Sequence, residues 1–352
     1  MLLVDIKKKL GSFQLDVQFE TDGGALALLG ASGCGKSMTL KCIAGVEKPD
    51  SGRIVLNGRT LFDSEKRIDL PPQRRRVGYL FQQYALFPHM TAVRNIAAGA
   101  RHLSPAERRR RVAEVVRALR LEGLEDRCPT QLSGGQQQRV ALGRILVGEP
   151  EALLLDEPFA ALDSYLRWQV ELELMDTLRD FDGDVVFVSH DRGEVIRLCD
   201  AVCVLTDGCS APQESVRQLM QSPGTVSAAL LSGCKNYSLA ERLDEHTARC
   251  VDWGVILHTE APVPPDVTAV GIRAHHIAPG PGAENAVSCT VARVIEDTFS
   301  TVVMLATPGG GAGRSLLRME LDKAVWEALS EPEALTVHLA PAQVMPLTGG
   351  GL

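Results

Sequence analysis

The apolar positions of the chain follow two rhythms. Leu2 to Ile6 and Phe13 to Phe19 alternate apolar with polar residues, the pattern of half-buried antiparallel strands. Ala25-Leu26-Ala27-Leu28-Leu29, Val77 to Phe81, Ala152-Leu153-Leu154-Leu155 and Val185-Val186-Phe187-Val188 are continuous instead, which suits strands buried on both faces of a parallel sheet. Helical spacing takes over between these runs. Leu40, Ile43 and Ala44 share one face after Met38, and a capping box with Pro at the first helical position, Ser104-Pro105-Ala106-Glu107, opens a helix with Val112, Val115, Val116 and Leu119 on one side before Gly123 stops it. A second such helix starts after Leu132 to Gln136 and ends near Gly148-Glu149-Pro150, and Ala161-Leu162-Asp163 leads into one of roughly fifteen residues. Strands alternating with helices predict an α/β fold.

Beyond about residue 225 the rhythm changes to short alternating strands broken by Pro and Gly. Pro262-Val263-Pro264-Pro265 and Pro279-Gly280-Pro281-Gly282 punctuate it, and a turn at Gly309 to Gly313 lies between Thr301–Leu305 and Ser315–Met319. This predicts a small all-β, OB-like module. A chain of 352 residues exceeds the size at which one core stops growing, so two domains are expected.

Composition narrows the class. Charged residues make up 23% and the net charge is −7, which gives no global reason to expect nucleic acid. The basic stretches Arg74-Arg75-Arg76 and Arg108 to Arg111 read as solvated faces. Nine cysteines without a C-x-x-C pair fit reduced thiols rather than a disulfide framework or a zinc site. No run of about 18 apolar residues and no apolar leader is present, so the chain is expected neither to cross a membrane nor to be secreted.

The chemistry centres on Gly30-Ala31-Ser32-Gly33-Cys34-Gly35-Lys36-Ser37, set between a buried strand and a helix. In that context the glycines let backbone N–H groups turn toward phosphate oxygens and the helix adds the positive end of its dipole. Lys36 is placed to reach β- and γ-phosphates, and the Ser37 hydroxyl to ligate magnesium. Three other apolar strands end on polar groups at the rim of the same sheet, where α/β folds bind ligands. Gln82 is suited to hold a metal ion or water. Asp156 is suited to hold magnesium, Glu157 to orient an attacking water, and His190 to touch the γ-phosphate. Gly134 and Gly135 expose N–H groups at a second helix start. Phe13 either stacks on a nucleotide base or packs in the core. Cys34, at a helix start beside Lys36, is expected to react faster with alkylating agents than a thiol in an apolar strand such as Cys203, unless it packs inert under the loop.

The phosphate loop, Gln82, Leu132-Ser133-Gly134-Gly135-Gln136, Leu153 to Glu157, Ala161-Leu162-Asp163 and His190 occur in the order and spacing of the ATP-binding-cassette ATPases, and residues 1 to about 225 resemble that family. The resemblance implies a nucleotide-binding domain over 1–225, with a RecA-like core, an antiparallel β subdomain and a helical subdomain at about 84–150. It implies ATP and Mg2+ as cofactors, with Ser133, Gly134, Gly135, Gln136 and Asp163 added to the nucleotide contacts. Two copies would pair head to tail, so that Ser133 and Gly135 of one close over the γ-phosphate held by Lys36 of the other.

Leu70 to Gln82 and Ala85 to Thr91 are similar to importer ATPases of the molybdate and sulfate group, in which the segment after Gln82 helps to receive a short helix of the membrane subunits. Tyr84, Leu86, Phe87 and Met90 are not all expected in the core, because Pro88 interrupts any helix that would bury them together. Gly271 to His276 and Val287 to Ile295 are similar to the C-terminal extension of molybdate importers, which places a regulatory β-rich domain at 226–352 with its OB-like part at about 285–348. Glu284 stands where that extension has a cation, leaving oxyanion binding, dimer contact and folding support open as roles. The function implied is ATP hydrolysis energising import of molybdate or a related oxyanion, by a peripheral subunit on the cytoplasmic face of the membrane. Its partners would be permease subunits and, indirectly, an extracytoplasmic oxyanion-binding protein. The alternatives are import of sulfate, another small anion or a metal, and a soluble cassette ATPase that transports nothing. One phosphate loop and no sustained heptads speak against the last.

Overall fold

The computed structural model describes residues 1–160, 162, 164–310, 316–330 and 332–349, which fall into two compact units, Met1–Val216 and Arg217–Leu352. Ala161, Asp163 and most of the expected Gly309 to Gly313 turn lie outside the described residues.

In the first unit the two apolar rhythms become the two halves of one 12-stranded sheet. Leu2–Leu10 and Phe13–Thr21 form an antiparallel hairpin in the register Leu2 to Thr21 through Leu10 to Phe13, and Ser51–Leu56 pairs with the other side of the first strand. Val4, Ile6, Leu15 and Val17 fill one face while their neighbours meet solvent, which is why these strands alternate. The continuous runs form the parallel half. Ala201–Thr206, Gly24–Gly30, Asp184–Val188, Ala152–Asp156 and Val77–Leu80 lie side by side in that order, all parallel. Their C-terminal ends therefore share one rim.

Two acids at the opposite ends, the buried Asp184 and the exposed Asp200, anchor these strands. Asp184 accepts from the Thr21 hydroxyl at 2.6 Å and from the Gly23 N–H at 3.0 Å, and Asp200 accepts from the Ala25 N–H at 3.1 Å. Helices Lys36–Ala44, Pro105–Ala118, Gly134–Leu146 and Ser164–Arg179 follow the predicted periodicity. The short helix Ala92–Ala97 was not expected. Its six residues make fewer than two turns, too few to show a period; Thr91 caps it, and the buried Asn95 ties down the chain before it. The Asn95 side chain accepts from the Phe87 N–H at 2.8 Å and donates to the carbonyls of Phe87, Met90 and Thr91.

The second unit holds two five-stranded sheets together with short helices, a β-rich build consistent with the expected OB-like module. Asn236–Arg242, Thr247–Cys250, Val255–His258, Val267–Ile272 and Met345–Thr348 make one sheet. Ala286–Glu296 is the centre of the other. Helices Val216–Gln221 and Val226–Leu231 are held by the buried Arg273, which donates to the Met220 and Ser232 carbonyls, each at 2.7 Å. The run at Glu284 and Asn285 has structural work: Asn285 bonds His258 and Leu339 backbone groups, and the Glu284 carbonyl lies 2.9 Å from His338 Nδ1.

Candidate active site

The loop from Gly30 to Ser37 leaves the end of its strand and enters helix Lys36–Ala44 through Gly35 at φ 106°. A side chain at Gly30 would run into the Leu205 carbonyl oxygen, and one at Gly35 into Leu15 and the Phe13 ring, so both positions require glycine. Phe13 thus lies against the loop and also packs on the sheet core. Ala31, Ser32 and Gly33 are exposed at the crest. Lys36 is buried, and its ammonium donates to the Gly30 and Ala31 carbonyls at 2.7 and 2.8 Å. Cys34 is buried in the central core, with Sγ 3.7 Å from Lys36 Nζ.

The far end of this helix corrects an expectation. Arg75, read with its neighbours as a solvated face, is fully buried, while Arg74 and Arg76 are exposed. Its guanidinium donates to Cys42 O and Ile43 O at 2.8 and 2.9 Å, to Leu70 O at 2.7 Å and to Asp69 at 3.0 Å. A cation there complements the negative end of the helix dipole and satisfies carbonyls left open by the last turn. Burial lowers its pKa, and the nearby Asp69 opposes that shift.

Across from the loop, the strand Ala152–Asp156 delivers Asp156 and Glu157. The Ser37 hydroxyl donates to Asp156 Oδ1 at 2.9 Å, and the Tyr79 hydroxyl donates to Oδ2 at 2.9 Å. Burial pushes the Asp156 carboxyl up from its ordinary value, and the two hydroxyls pull the other way. Tyr79 was missed by the sequence reading, because a tyrosine in an apolar strand reads as packing. Glu157 has φ 46°, a conformation that costs a non-glycine residue about 1 kcal/mol or more and is often retained at functional sites. Gln82 Nε2 donates to Glu157 Oε2 at 3.3 Å, and His190 Nδ1 lies 3.6 Å from the same oxygen. The residue after His190, Asp191, caps helix Arg192–Leu198 by accepting from the Gly193 and Glu194 N–H groups, which fixes the backbone that presents the histidine.

Lys36, Ser37, Asp156, Glu157, Gln82 and His190 are therefore brought to one rim. A hydroxyl and a carboxylate oxygen in contact, both hard donors, suit Mg2+, which takes one or two protein ligands and fills its remaining positions with phosphate and water. Gln82 is joined to this pair only through Glu157.

Ser133 begins helix Gly134–Leu146 as its N-cap, accepting from the Gln136 N–H, while the Gln136 side chain accepts from the Ser133 N–H at 3.0 Å. Ser133 is exposed and Gly135 buried. Further along, Arg144 donates to the Ala85 and Tyr84 carbonyls at 2.7 and 2.9 Å and stacks over Phe87. That ties the segment after Gln82 to the helix that Ser133 starts. In this segment Tyr84 is core, its hydroxyl bonded to Pro158 O at 3.2 Å, while Phe87 is exposed and Leu86 and Met90 are half-buried.

Residues 14–160 match the family model described as ABC transporter. The chain is 42% identical to a molybdenum import ATP-binding protein ModC of Paramagnetospirillum magneticum over 64% of this chain and 62% of that protein. It therefore spans about three fifths of the length of the first of its curated relatives. A molybdate/tungstate import ATP-binding protein WtpC of Archaeoglobus fulgidus is 42% identical over 66% of this chain and 94% of its own length. Other relatives are named for import of ferric ions or of spermidine and putrescine. Among solved structures, the dimeric ATP-binding cassette MJ0796 in a post-hydrolysis state bound to ADP and Pi is 31% identical, with TM-score 0.52 over 62% of this chain and 99% of that chain. With the phosphate loop, the paired acids and the Ser133 helix in this arrangement, the chain belongs to the ATP-binding-cassette transporter family, among its import ATP-binding proteins.

Proposed function

We propose that the chain binds and hydrolyses Mg-ATP and that hydrolysis drives an importer whose cargo is molybdate or a related tetrahedral oxyanion. The observation that carries the ATPase reading is the convergence of Gln82 and His190 on one oxygen of Glu157, at the rim where Ser37 meets Asp156.

In this reading the Gly30 to Ser37 loop cradles the phosphates. The Lys36 ammonium exchanges its two loop carbonyls for β- and γ-phosphate oxygens, a stronger charge-assisted pairing. Ser37 and Asp156, with Gln82 near, would hold Mg2+, which would supply charge neutralisation on the phosphates. Tyr79 keeps Asp156 aimed at it. Glu157 accepts a hydrogen bond from the attacking water, Gln82 and His190 fix its carboxylate, and His190 contacts the γ-phosphate. Asp163 joins the nucleotide contacts as the resemblance implies.

Ser133, Gly134, Gly135 and Gln136 serve the nucleotide of a second copy, packed head to tail. The exposed Phe87, with Leu86 and Met90, receives a permease subunit. Among the described residues no helix is long and apolar enough to cross a membrane, so contact with permease subunits would hold the chain peripherally at the cytoplasmic face. Residues 1–225 act as the nucleotide-binding domain and 226–352 as a regulatory β domain. The molybdate reading is supported by the names of the relatives above. It is tested by uptake in a strain lacking this chain: molybdate uptake should fall and return on complementation, whereas loss of sulfate, ferric-ion or polyamine uptake alone would refute it.

A further inference from the structure

The helical part of the first unit carries a cleft of about 320 Å³ between the loop at His89 and Met90, helix Ala92–Ala97, and helix Pro105–Ala118. Arg94, Arg101, Arg108 and His89 all line it, and no carboxylate does. Among the described residues none of these three guanidiniums makes an ion pair. Their neighbours differ: Arg110 pairs with Glu114 at 3.2 Å, and Arg111 pairs with both Glu114 and Glu149. Three cations around one concavity, in a chain of net charge −7, repel one another unless an anion joins them. Guanidinium forks match phosphate oxygens, and several on one group favour a phosphate over a carboxylate.

A second, apolar groove of about 360 Å³ adjoins this cleft and shares Ala97 and Arg108 with it. Val93, Val112, Ala113 and Val116 form its apolar wall, and Arg109, Arg117, Glu122 and Glu125 line it as well. A cationic cleft continuous with an apolar one fits an amphiphile that carries a phosphate at one end. We propose that this surface binds the headgroup of an anionic phospholipid, with the phosphate among Arg94, Arg101 and Arg108 and the adjoining hydrocarbon over the valines. A free phosphate would satisfy the cleft but leave the groove unused.

Flotation of the full chain with phosphatidylcholine vesicles, with and without phosphatidylglycerol, tests the proposal. Binding should require phosphatidylglycerol, weaken with salt, and fall at least about tenfold in the double variant Arg101→Glu/Arg108→Glu. Lys66→Glu, the same charge change at an exposed position elsewhere, should retain more of it than either single cleft variant. Retained stabilisation by Mg-ATP shows that the double variant is folded. Equal flotation of wild type and double variant, or no dependence on phosphatidylglycerol, overturns the proposal. Stabilisation by inorganic phosphate that requires Arg101 and Arg108, without vesicle binding, assigns the cleft to free phosphate and overturns the lipid reading.

Discussion

Gln82 Nε2 donates to Glu157 Oε2 at 3.3 Å across 75 residues of sequence. The amide ends one strand and the carboxylate ends its parallel neighbour, so a shift of either strand end moves both groups. Glu157→Gln should keep ATP binding and cut hydrolysis by two or more orders of magnitude, about 3 kcal/mol of barrier, because an amide is a poor acceptor for the water's proton. Steady-state phosphate release measures it, and turnover near wild type removes Glu157 from the mechanism.

Asp156 gives a pH prediction. Burial disfavours its anion, so its pKa in the fold is raised and folding favours the protonated acid. That contribution to stability is fully present below the ordinary carboxylate range and is lost as pH rises through the raised folded value. Asp156→Asn should remove this slope and raise the melting temperature of the Mg-free protein at neutral pH by a few degrees, while abolishing Mg-dependent hydrolysis. Melting curves across pH with and without Mg2+ check it; an unchanged slope in the variant contradicts it.

Arg75→Ala should destabilise the protein by about 3 kcal/mol, since it strips three backbone carbonyls and Asp69 of a buried donor. Arg74→Ala should cost no more than about 0.5 kcal/mol, as expected for an exposed position. Urea denaturation separates the two, and equal losses would mean that the solvated reading of the triplet was right.

Alkylation distinguishes the cysteines. Cys209 is exposed and should label first. Cys203 is buried, with its thiol pushed up to about 12, and should label more slowly than Cys209 or Cys34. Cys34, buried under the loop but next to Lys36, should fall between them and be protected by Mg-ATP. Peptide mapping after brief exposure decides the order, and equal labelling of Cys34 with and without Mg-ATP sinks the protection.

What the sequence revealed and what it hid follow from locality. The phosphate loop is legible because eight adjacent residues, a strand before and a helix after do its work together. The parallel strands are legible because burial on both faces leaves continuous apolar runs such as Ala152–Asp156. Tyr79 was hidden because its role depends on a partner 77 residues away. Arg75 was misread because a charge run says nothing of which member turns inward; here the end of a distant helix supplies the acceptors. The helix Lys323–Ala328, which buries Trp326, was hidden by its brevity.

Two copies are predicted to share each nucleotide, and Gly135→Asp separates nucleotide binding from pairing. Ser133 and Gly135 stand at a helix start that is capped by its own Gln136, and no hydrogen bond or ion pair given by the described residues joins them to Lys36 of the same chain. A carboxylate at position 135 would face the partner's γ-phosphate, a like-charge clash of several kcal/mol at low local dielectric. Measured side by side, the ATP affinity of the monomeric variant should remain within about threefold of wild type while ATP-dependent dimerisation disappears. A loss of monomer affinity as severe as that of Lys36→Ala would contradict the shared site.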